Sequence, residues 1–260
     1  MPPVRQDATA AWPYVPVLRL EPAAGEEGVN KTRIPWADYT WNPIEGCSPV
    51  SEGCENCYAA AMARRFHRPW GKPVFHPEKL DEPLRTRKPG RIFVCSTSDL
   101  FHPDVRIEDL EKVWRTIWTA QRGDKGHTFL ILTKRPDVMK ERLAIVLRRV
   151  FGDDEFHFAG QRVWLGVTAE NQRRYDERWA ILKTIPAAVR FVSVEPMLER
   201  IWLWEKSEAK PDWVIAGLET GPKARRCLDV WIDDLSYQSR CFFDKRETWT
   251  RREWPQGRKV

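Results

Sequence analysis

Five segments of the chain are nearly continuous runs of apolar, often β-branched residues, and each run ends at a cluster of polar residues. The segments are RIFVCSTSD (91–99), HTFLILTKRP (127–136), RVWLGVTAENQ (162–172), VRFVSVEP (189–196) and DWVIAGLETG (212–221). Runs of this kind are typical of strands that are buried on both faces. The segment ADYTWNP (37–43) predicts a further strand before them, and CFFDK (241–245) is a candidate seventh.

Helical patterns separate these predicted strands. Residues 107–121 place large apolar side chains on one face at helical spacing, and residues 136–150 begin with a proline, which suits the first turn of a helix. Residues 172–185 follow Asn171, a residue type that caps helix N-termini. Alternation of strand and helix predicts right-handed crossovers and a parallel sheet. We therefore expect an α/β fold, a partial (β/α)6-type TIM-like barrel with parallel strands, with a doubly wound sheet as the alternative.

The polar clusters that end the predicted strands define a candidate site. They are Ser96 to Asp99, Thr133 to Arg135, Thr168 to Asn171, Ser193 to Glu195, and Glu219 with Thr220. The carboxyl ends of parallel strands meet at one edge, which carries the chemistry of α/β barrels and open α/β sheets. We therefore expect these clusters to gather at one edge of the molecule.

Three of the six cysteines, Cys47, Cys54 and Cys57, lie in the loop after the first predicted strand with the spacing C-x6-C-x2-C. A structural zinc site normally has four ligands, whereas three ligands leave one coordination position open for substrate or cofactor. Thiolates select zinc, copper(I) or iron–sulfur clusters. An iron–sulfur cluster held by three cysteines is the favoured interpretation, with zinc or unliganded core cysteines as alternatives. Cys95, at the end of the second strand, is a candidate fourth ligand.

The composition of the 260 residues changes little along the chain, which favours a single domain. We predict an N-terminal extension over residues 1–35, a partial barrel over 36–243 and a basic tail rich in Trp and Arg over 244–260. The first residues include prolines and charges where a signal peptide is apolar, and no run is apolar enough to span a bilayer. We therefore expect a cytoplasmic protein with no membrane partner, in which clustered cysteines indicate metal or redox chemistry.

The net charge of +6 suits a polyanionic partner such as nucleic acid. In the tail, arginines and lysines interleave with Trp249 and Trp254, a combination that can bind phosphates and stack bases. The segment GPKARR (221–226) places further cations directly after a strand end. The alternative interpretation of the tail is a solvated segment whose tryptophans pack on the domain.

Six blocks of sequence, in a fixed order, carry a resemblance to a known family. They are TWNPIEGCSPVSEGCENCYAAAMARRF (40–66), STSDLFHPDV (96–105), FLILTKRP (129–136), LGVTAENQ (165–172), RFVSVEPML (190–198) and DWVIAGLETGP (212–222). These blocks resemble the phage Gp37/Gp68 family, also called DUF5131, whose three-cysteine motif is similar to that of the radical S-adenosylmethionine enzymes. The resemblance implies a partial TIM-type barrel, and residues 36–243 then form a radical-SAM-like barrel. The chain departs from the family pattern at GLETG (217–221), where relatives tend to have GGESG.

The resemblance also implies an activity. A [4Fe–4S] cluster on the three cysteines would bind S-adenosylmethionine at its open iron, and reduction by an electron donor would give a 5′-deoxyadenosyl radical. Among the strand-end residues, we predict Lys134 and Glu195 as catalytic. The predicted cofactor-binding residues are Tyr58, Ser96, Ser98, Asp99, Thr168, Glu170, Asn171 and Glu219. Salt bridges at the barrel rim are the alternative role for the charged members of this set.

The expected substrate class follows from the net positive charge, the Arg/Lys-Trp tail and the GPKARR segment together. Nucleic acid or a nucleotide is the first expectation, with modification or repair as the reaction, and an acidic peptide is the second. A protein of another class is the alternative to an enzyme: a zinc or iron–sulfur nucleic-acid-binding protein without radical chemistry, using its basic tail.

Overall fold

The structure is a computed structural model that describes residues 28–122, 126–152, 162–203, 210–246 and 253–255. Its strands are β1 (Asn30–Lys31), β2 (Tyr39–Trp41), β3 (Ile44–Glu45), β4 (Val74–Phe75), β5 (Arg91–Val94), β6 (Thr128–Thr133), β7 (Val163–Thr168), β8 (Val189–Val194), β9 (Trp213–Ala216) and β10 (Phe242–Asp244). Its α-helices are α1 (Tyr58–Arg65), α2 (Glu82–Arg85), α3 (Ile107–Ala120), α4 (Pro136–Phe151), α5 (Gln172–Leu182) and α6 (Asp229–Gln238). Most of the predicted N-terminal extension and of the predicted tail lies outside the described residues.

Eight of the strands form one sheet in the order β1-β2-β5-β6-β7-β8-β9-β10. Strand β1 is antiparallel to β2, and every other neighbouring pair is parallel. All predicted strands are present, and the candidate seventh forms β10, so the predicted six parallel strands are corrected to seven. The order follows the chain without reversal, unlike that of a doubly wound sheet, which reverses at its switch point. Strands β1 and β10 are the edges of the described sheet, which is not a closed barrel.

The three predicted helices are confirmed as α3, α4 and α5. Helix α3 buries Leu110, Val113, Trp114 and Ile117, the apolar stripe that predicted it. The side chain of Asn171 accepts the backbone N–H of Arg174 at 2.9 Å and so caps α5. The described helices include none that is both long enough and apolar enough to cross a lipid bilayer.

Both faces of the sheet are buried, which explains the continuous apolar runs. In β9, Val214 and Ala216 belong to a large core that includes residues of the helices, whereas Trp213 and Ile215 belong to a second cluster on the other face. We call this second cluster the inner face; it contains Trp36, Phe93, Leu130, Trp164, Phe191, Trp213, Ile215 and Phe243 among its buried residues.

Aromatic rings dominate the inner face. The ring of Trp213 lies 5.8 Å from that of Trp164, 5.6 Å from Phe191 and 6.1 Å from Phe243, centroid to centroid. Gly166 leaves room for Phe191, since a Cβ at this position would overlap the phenyl ring. Glycine in the middle of β7 is therefore required by packing.

The described part of the tail packs on the domain. The Trp254 ring lies 5.3 Å from that of Phe243, and the Arg91 guanidinium lies 4.5 Å from the Trp254 ring. For Trp254, the alternative interpretation of a tryptophan packed on the domain is therefore correct. Trp249 lies outside the described residues.

Candidate functional site

A cavity of about 450 Å³ lies at the carboxyl ends of the parallel strands. All but three of the predicted site residues line it: Cys47, Cys54, Cys57, Tyr58, Ser96, Ser98, Asp99, Lys134, Thr168 and Glu195. Residues from the polar clusters that end the strands therefore gather at one cavity, as the sequence predicted. Glu170, Asn171 and Glu219 do not line it, and each has a structural partner instead.

The cysteine loop, residues 46–57, covers these strand ends. Gly46 has a φ of 90°, and a Cβ there would collide with the Lys72 carbonyl, so the residue before Cys47 must be glycine. The Gly71 N–H donates to the Cys47 carbonyl at 3.2 Å, and Cys57 is the residue that precedes helix α1. The three cysteines are unpaired and partly buried, and their side chains share one cavity.

Arg135, at the end of β6, connects the cysteine loop to the sheet. Its buried guanidinium donates to Asp99 Oδ2 at 2.9 Å, to the Ser48 carbonyl at 2.8 Å, and toward Cys47 Sγ at 3.7 Å. Burial raises the pKa of the Cys47 thiol and the Asp99 carboxylate adds to this, whereas the Arg135 guanidinium lowers it. A cation beside this sulfur favours a state in which the sulfur carries negative charge.

Asp99 is committed to the protein itself. Its Oδ1 accepts the Thr133 hydroxyl at 2.7 Å and the Phe101 N–H at 3.0 Å. Its Oδ2 accepts the Lys134 N–H at 3.1 Å in addition to Arg135. Because four donors occupy its two oxygens, Asp99 joins the ends of two strands, and its cofactor-binding role stays a prediction.

Ser96, Ser98 and Tyr58 line the cavity but have hydrogen bonds within the chain. The Ser96 hydroxyl donates to Asn42 Oδ1 at 3.1 Å, and the Ser98 hydroxyl donates to the Ile44 carbonyl at 2.6 Å. The Tyr58 hydroxyl donates to the Ser96 carbonyl. These bonds connect the end of β5 to the segment that follows β2 and to the start of α1.

Glu170 holds the cysteine loop from the end of β7. It is fully buried, pairs with Arg178 at 2.8 Å and accepts the Gly53 N–H at 3.2 Å. Burial disfavours its charge, but the guanidinium of Arg178 and then the ammonium of Lys134 hold the pKa of Glu170 below its usual range. A Cβ at Gly53 would lie 3.1 Å from Glu170 Cδ, which explains the glycine before Cys54. Glu170 therefore positions the loop, and its cofactor-binding role stays a prediction.

Glu219 has the same role from the end of β9. It accepts the Asn56 amide at 3.1 Å and the backbone N–H of Arg225 at 2.8 Å. Hydrogen bonding from the Arg225 side chain lowers the pKa of Glu219 to about 2. Arg225 also donates to Glu55 and to the Glu52 carbonyl, both at 2.9 Å. Arg225 is therefore engaged by the cysteine loop, and a role of the GPKARR cations in guiding phosphates toward the cavity stays a prediction.

Besides the indole Nε1 of Trp36, two polar groups of the cavity lack partners among the described residues. Ser193 is buried, and its hydroxyl has no hydrogen-bond partner. Glu195 Oε2 pairs with Lys245 Nζ at 3.0 Å, whereas Glu195 Oε1 is buried and unpartnered. Buried polar groups are normally hydrogen-bonded, so these two atoms indicate where a ligand could supply the missing bonds.

The residues that line the cavity without belonging to a predicted cluster include Trp36, Trp70 and Lys245. Lys245 directly follows β10, the candidate seventh strand, whose end was not counted among the polar clusters. Trp36 and Trp70 lie outside any strand-end cluster, and no sequence signal distinguishes them from the other twelve tryptophans.

The donor set of the loop suits a soft metal centre, because three thiols border one cavity and Arg135 approaches one of them. Within the described ranges, no three His, Cys, Asp or Glu side chains converge to hold a single metal ion. In a cubane cluster each thiolate binds a different iron atom, so its ligands need not converge on one point. Cys95 borders the same cavity; it has a φ of 57°, and burial raises the pKa of its thiol to about 12.

Fold and site together define an α/β protein with a mostly parallel sheet, in which a cysteine loop covers the carboxyl ends of the strands. The chain belongs to the DUF5131 family, described as a protein of unknown function, which matches residues 31–254. The resemblance to that family is therefore confirmed. The family description states no activity, so the similarity to radical S-adenosylmethionine enzymes is a matter for proposal.

One curated relative is the uncharacterized protein MJ0683 of Methanocaldococcus jannaschii. The two chains are 32% identical over 115 residues, which is 44% of this chain and 41% of that protein. The match therefore spans less than half the length of the relative. No solved structure gives a significant match to the chain.

Proposed function

We propose that the chain is a radical S-adenosylmethionine-type enzyme that holds a [4Fe–4S] cluster on Cys47, Cys54 and Cys57. The observation that carries the proposal is that one loop places three cysteines at a cavity at the carboxyl ends of a parallel sheet, where Cys95 of the strand end is a fourth. When bound and reduced, such a cluster would supply the electron that cleaves S-adenosylmethionine to methionine and a 5′-deoxyadenosyl radical.

A partial barrel is the architecture that we propose for this enzyme. The unreversed strand order supports it, because successive crossovers then advance in one direction around a sheet. The inner face supports it too, since its buried members are strand residues together with Trp36, Ala37 and Ala188, and no residue of α3 to α6 is among them. Side chains of the strands fill the interior of such barrels in the same way.

The cavity residues would bind and orient the ligand. Ser193 Oγ and Glu195 Oε1 are free to accept hydrogen bonds from an ammonium or hydroxyl group. Lys134 lines the same cavity and would place a cation beside a carboxylate or phosphate. Trp36 and Phe93 contribute apolar walls that exclude water from a reactive intermediate. We propose Glu195 and Lys134 as the catalytic residues in this arrangement.

Anaerobic purification followed by iron, sulfide and zinc analysis tests the proposal. We expect a brown protein that releases 5′-deoxyadenosine when given dithionite and S-adenosylmethionine. Alanine at Cys47, Cys54 or Cys57 should abolish iron retention, whereas Cys227→Ala is the matched control, since Cys227 does not line the cavity. Loss of the cluster in Cys95→Ala would show four protein ligands and no open iron.

The alternative, a zinc or iron–sulfur nucleic-acid-binding protein, predicts a different outcome of the same purification. A colourless protein with stoichiometric zinc, or a brown protein that forms no 5′-deoxyadenosine, would contradict the radical chemistry. Modification or repair of nucleic acid is the reaction that we propose for the enzyme, with the charge of +6 as its support.

A further inference from the structure

Helix α1 buries its small residues and exposes its large apolar ones, which is unusual for a surface helix. It buries the small residues Ala59 and Ala63 against the protein. Two larger residues, Met62 in the helix and Phe66 directly after it, lie four positions apart and are 40% and 54% exposed. Surface helices normally turn their large apolar residues toward the core. An exposed stripe of this kind indicates an interaction site.

Cations surround the exposed stripe. Arg64, Arg65 and Arg68 are exposed, and the guanidinium groups of Arg65 and Arg68 lie 5.6 Å and 5.9 Å from the centre of the Phe66 ring. We call Met62, Arg64, Arg65, Phe66 and Arg68 the α1 face. Among the described residues, the carboxylate that pairs with this face is that of Glu45, which lies 3.8 Å from the Arg68 guanidinium. The surface is therefore apolar at its centre and positively charged at its rim, so it complements an acidic partner.

The α1 face lies beside the cysteine loop. Helix α1 begins directly after Cys57, and at 1.5 Å per residue its far end at Arg65 is about 12 Å along the helix from that cysteine. The segment after the helix returns to the loop, where the Gly71 N–H bonds to the Cys47 carbonyl. A protein bound on this face would be adjacent to the thiols that hold the proposed cluster.

We propose that the α1 face is the docking surface for an acidic one-electron carrier protein. The inference rests on the proposed function, which consumes one electron for each cleavage: the carrier is oxidised by one electron and the cluster is reduced by one, with no transfer of atoms. Transient electron-transfer interfaces are small, below about 1,200 Å² in total, and depend on charge steering. One exposed helix face with three arginines has the size and charge for such an encounter.

A carrier protein suits the α1 face better than a nucleic acid does. Nucleic acids are bound through stacking on open aromatic rings together with cations along the backbone. The Phe66 ring is instead approached by its own two arginines. Met62 adds an apolar, flexible contact of the type used at protein interfaces.

Stopped-flow reduction of the reconstituted protein by an acidic flavodoxin tests the inference. The double variant Arg64→Glu with Arg65→Glu should lower the second-order rate constant at low salt at least roughly tenfold, because steering by charge is reversed. The matched control is the double variant Arg87→Glu with Lys88→Glu. It makes the same change in net charge at two exposed residues that precede β5, at the amino-terminal end of the parallel strands. Reduction by dithionite and the iron content should be the same in all three proteins.

Several outcomes would overturn the inference. One is an equal rate for the wild-type protein and the Arg64/Arg65 variant, and another is an equal loss of rate in the Arg87/Lys88 control. A wild-type protein that dithionite reduces but the flavodoxin does not would also overturn it. So would loss of DNA binding in the Arg64/Arg65 variant with an unchanged rate of reduction. If the wild-type protein holds no cluster, the proposed function is overturned instead. Iron analysis and reduction by dithionite detect that case separately.

Discussion

At the scale of single residues, Arg135 is the side chain that most directly affects the chemistry of the cysteine loop. Its Nη1 lies 3.7 Å from Cys47 Sγ. A cationic donor beside a cluster ligand stabilises the added electron, so Arg135→Gln should lower the reduction potential of the proposed cluster. A charge-assisted hydrogen bond contributes about 1.5 kcal/mol, which corresponds to roughly 60 mV for one electron.

A redox titration followed by electron paramagnetic resonance measures this shift. Arg135→Lys keeps the charge and should give an intermediate potential. Arg115→Gln is the control, because Arg115 pairs with Glu111 on the surface of α3. A potential that is the same in wild type and Arg135→Gln would show that Arg135 has a structural role alone.

The position of several predicted residues at the cavity followed from sequence, but their hydrogen bonds did not. Position after an apolar run placed Asp99 and Lys134 at the cavity, because strand ends of a parallel sheet converge. The same rule could not show that the Asp99 oxygens are occupied by Arg135 and other donors, or that Glu219 is occupied by Arg225. These pairings depend on side-chain directions that the spacing of residues does not encode.

At the scale of elements, the cysteine loop is held by carboxylates that project from two strand ends. Gly53→Ala should destabilise the protein by about 1 to 3 kcal/mol, because the new Cβ would lie 3.1 Å from Glu170 Cδ and the buried pair with Arg178 restricts movement. Urea unfolding measures this change. Adding Glu170→Asp, which shortens the side chain, should recover part of the loss; no recovery would mean that the cost arises elsewhere.

The Glu219 contact predicts how loop stability depends on pH. The folded pKa of about 2 lies below the ordinary value of 4.5, so the contact stabilises the protein fully above pH 4.5. This contribution is lost as the pH falls from 4.5 toward 2. The difference in free energy of unfolding between wild type and Glu219→Gln should therefore be greatest near neutral pH and vanish near pH 2. A difference that does not change with pH would contradict the assignment.

Elements with strong periodicity were predictable, and short ones were not. The helices α3 to α5 and the parallel strands β5 to β9 follow from apolar spacing over four residues or more. The two-residue strands β1, β3 and β4 have no such pattern, because their pairing depends on contacts with distant residues. The β3 to β4 pair, for example, joins Ile44 to Phe75. Helix α1 buries alanines, so its exposed stripe could be recognised only from the structure.

At the scale of the whole molecule, the aromatic inner face contributes much of the stability. Trp213→Ala should destabilise the protein by about 3 to 5 kcal/mol, because Trp213 is fully buried among four aromatic rings. Guanidinium unfolding measures the change. Trp254→Ala, at a residue that is partly exposed, should cost much less. Equal losses in the two variants would contradict a central role for the inner face.

The parallel sheet could be predicted from sequence, whereas the closure of a barrel could not. Alternation of strands and helices fixes the parallel direction and the handedness of the crossovers. Closure depends on how far the sheet curves and on whether its first and last strands meet. The described sheet instead has β1 and β10 at its two edges.

The inner face also gives the molecule an internal optical probe. Trp36 borders the cavity, its ring lies 6.4 Å from that of Trp213, and Trp213 lies 5.8 Å from Trp164. Indole emission overlaps the broad absorbance of an iron–sulfur cluster, so excitation of these tryptophans would be transferred to a cluster bound beside Trp36. Binding of a cluster by the cysteine loop should therefore quench the intrinsic tryptophan fluorescence of the protein. The extent of quenching would report the fraction of protein that holds a cluster, in real time and without any label.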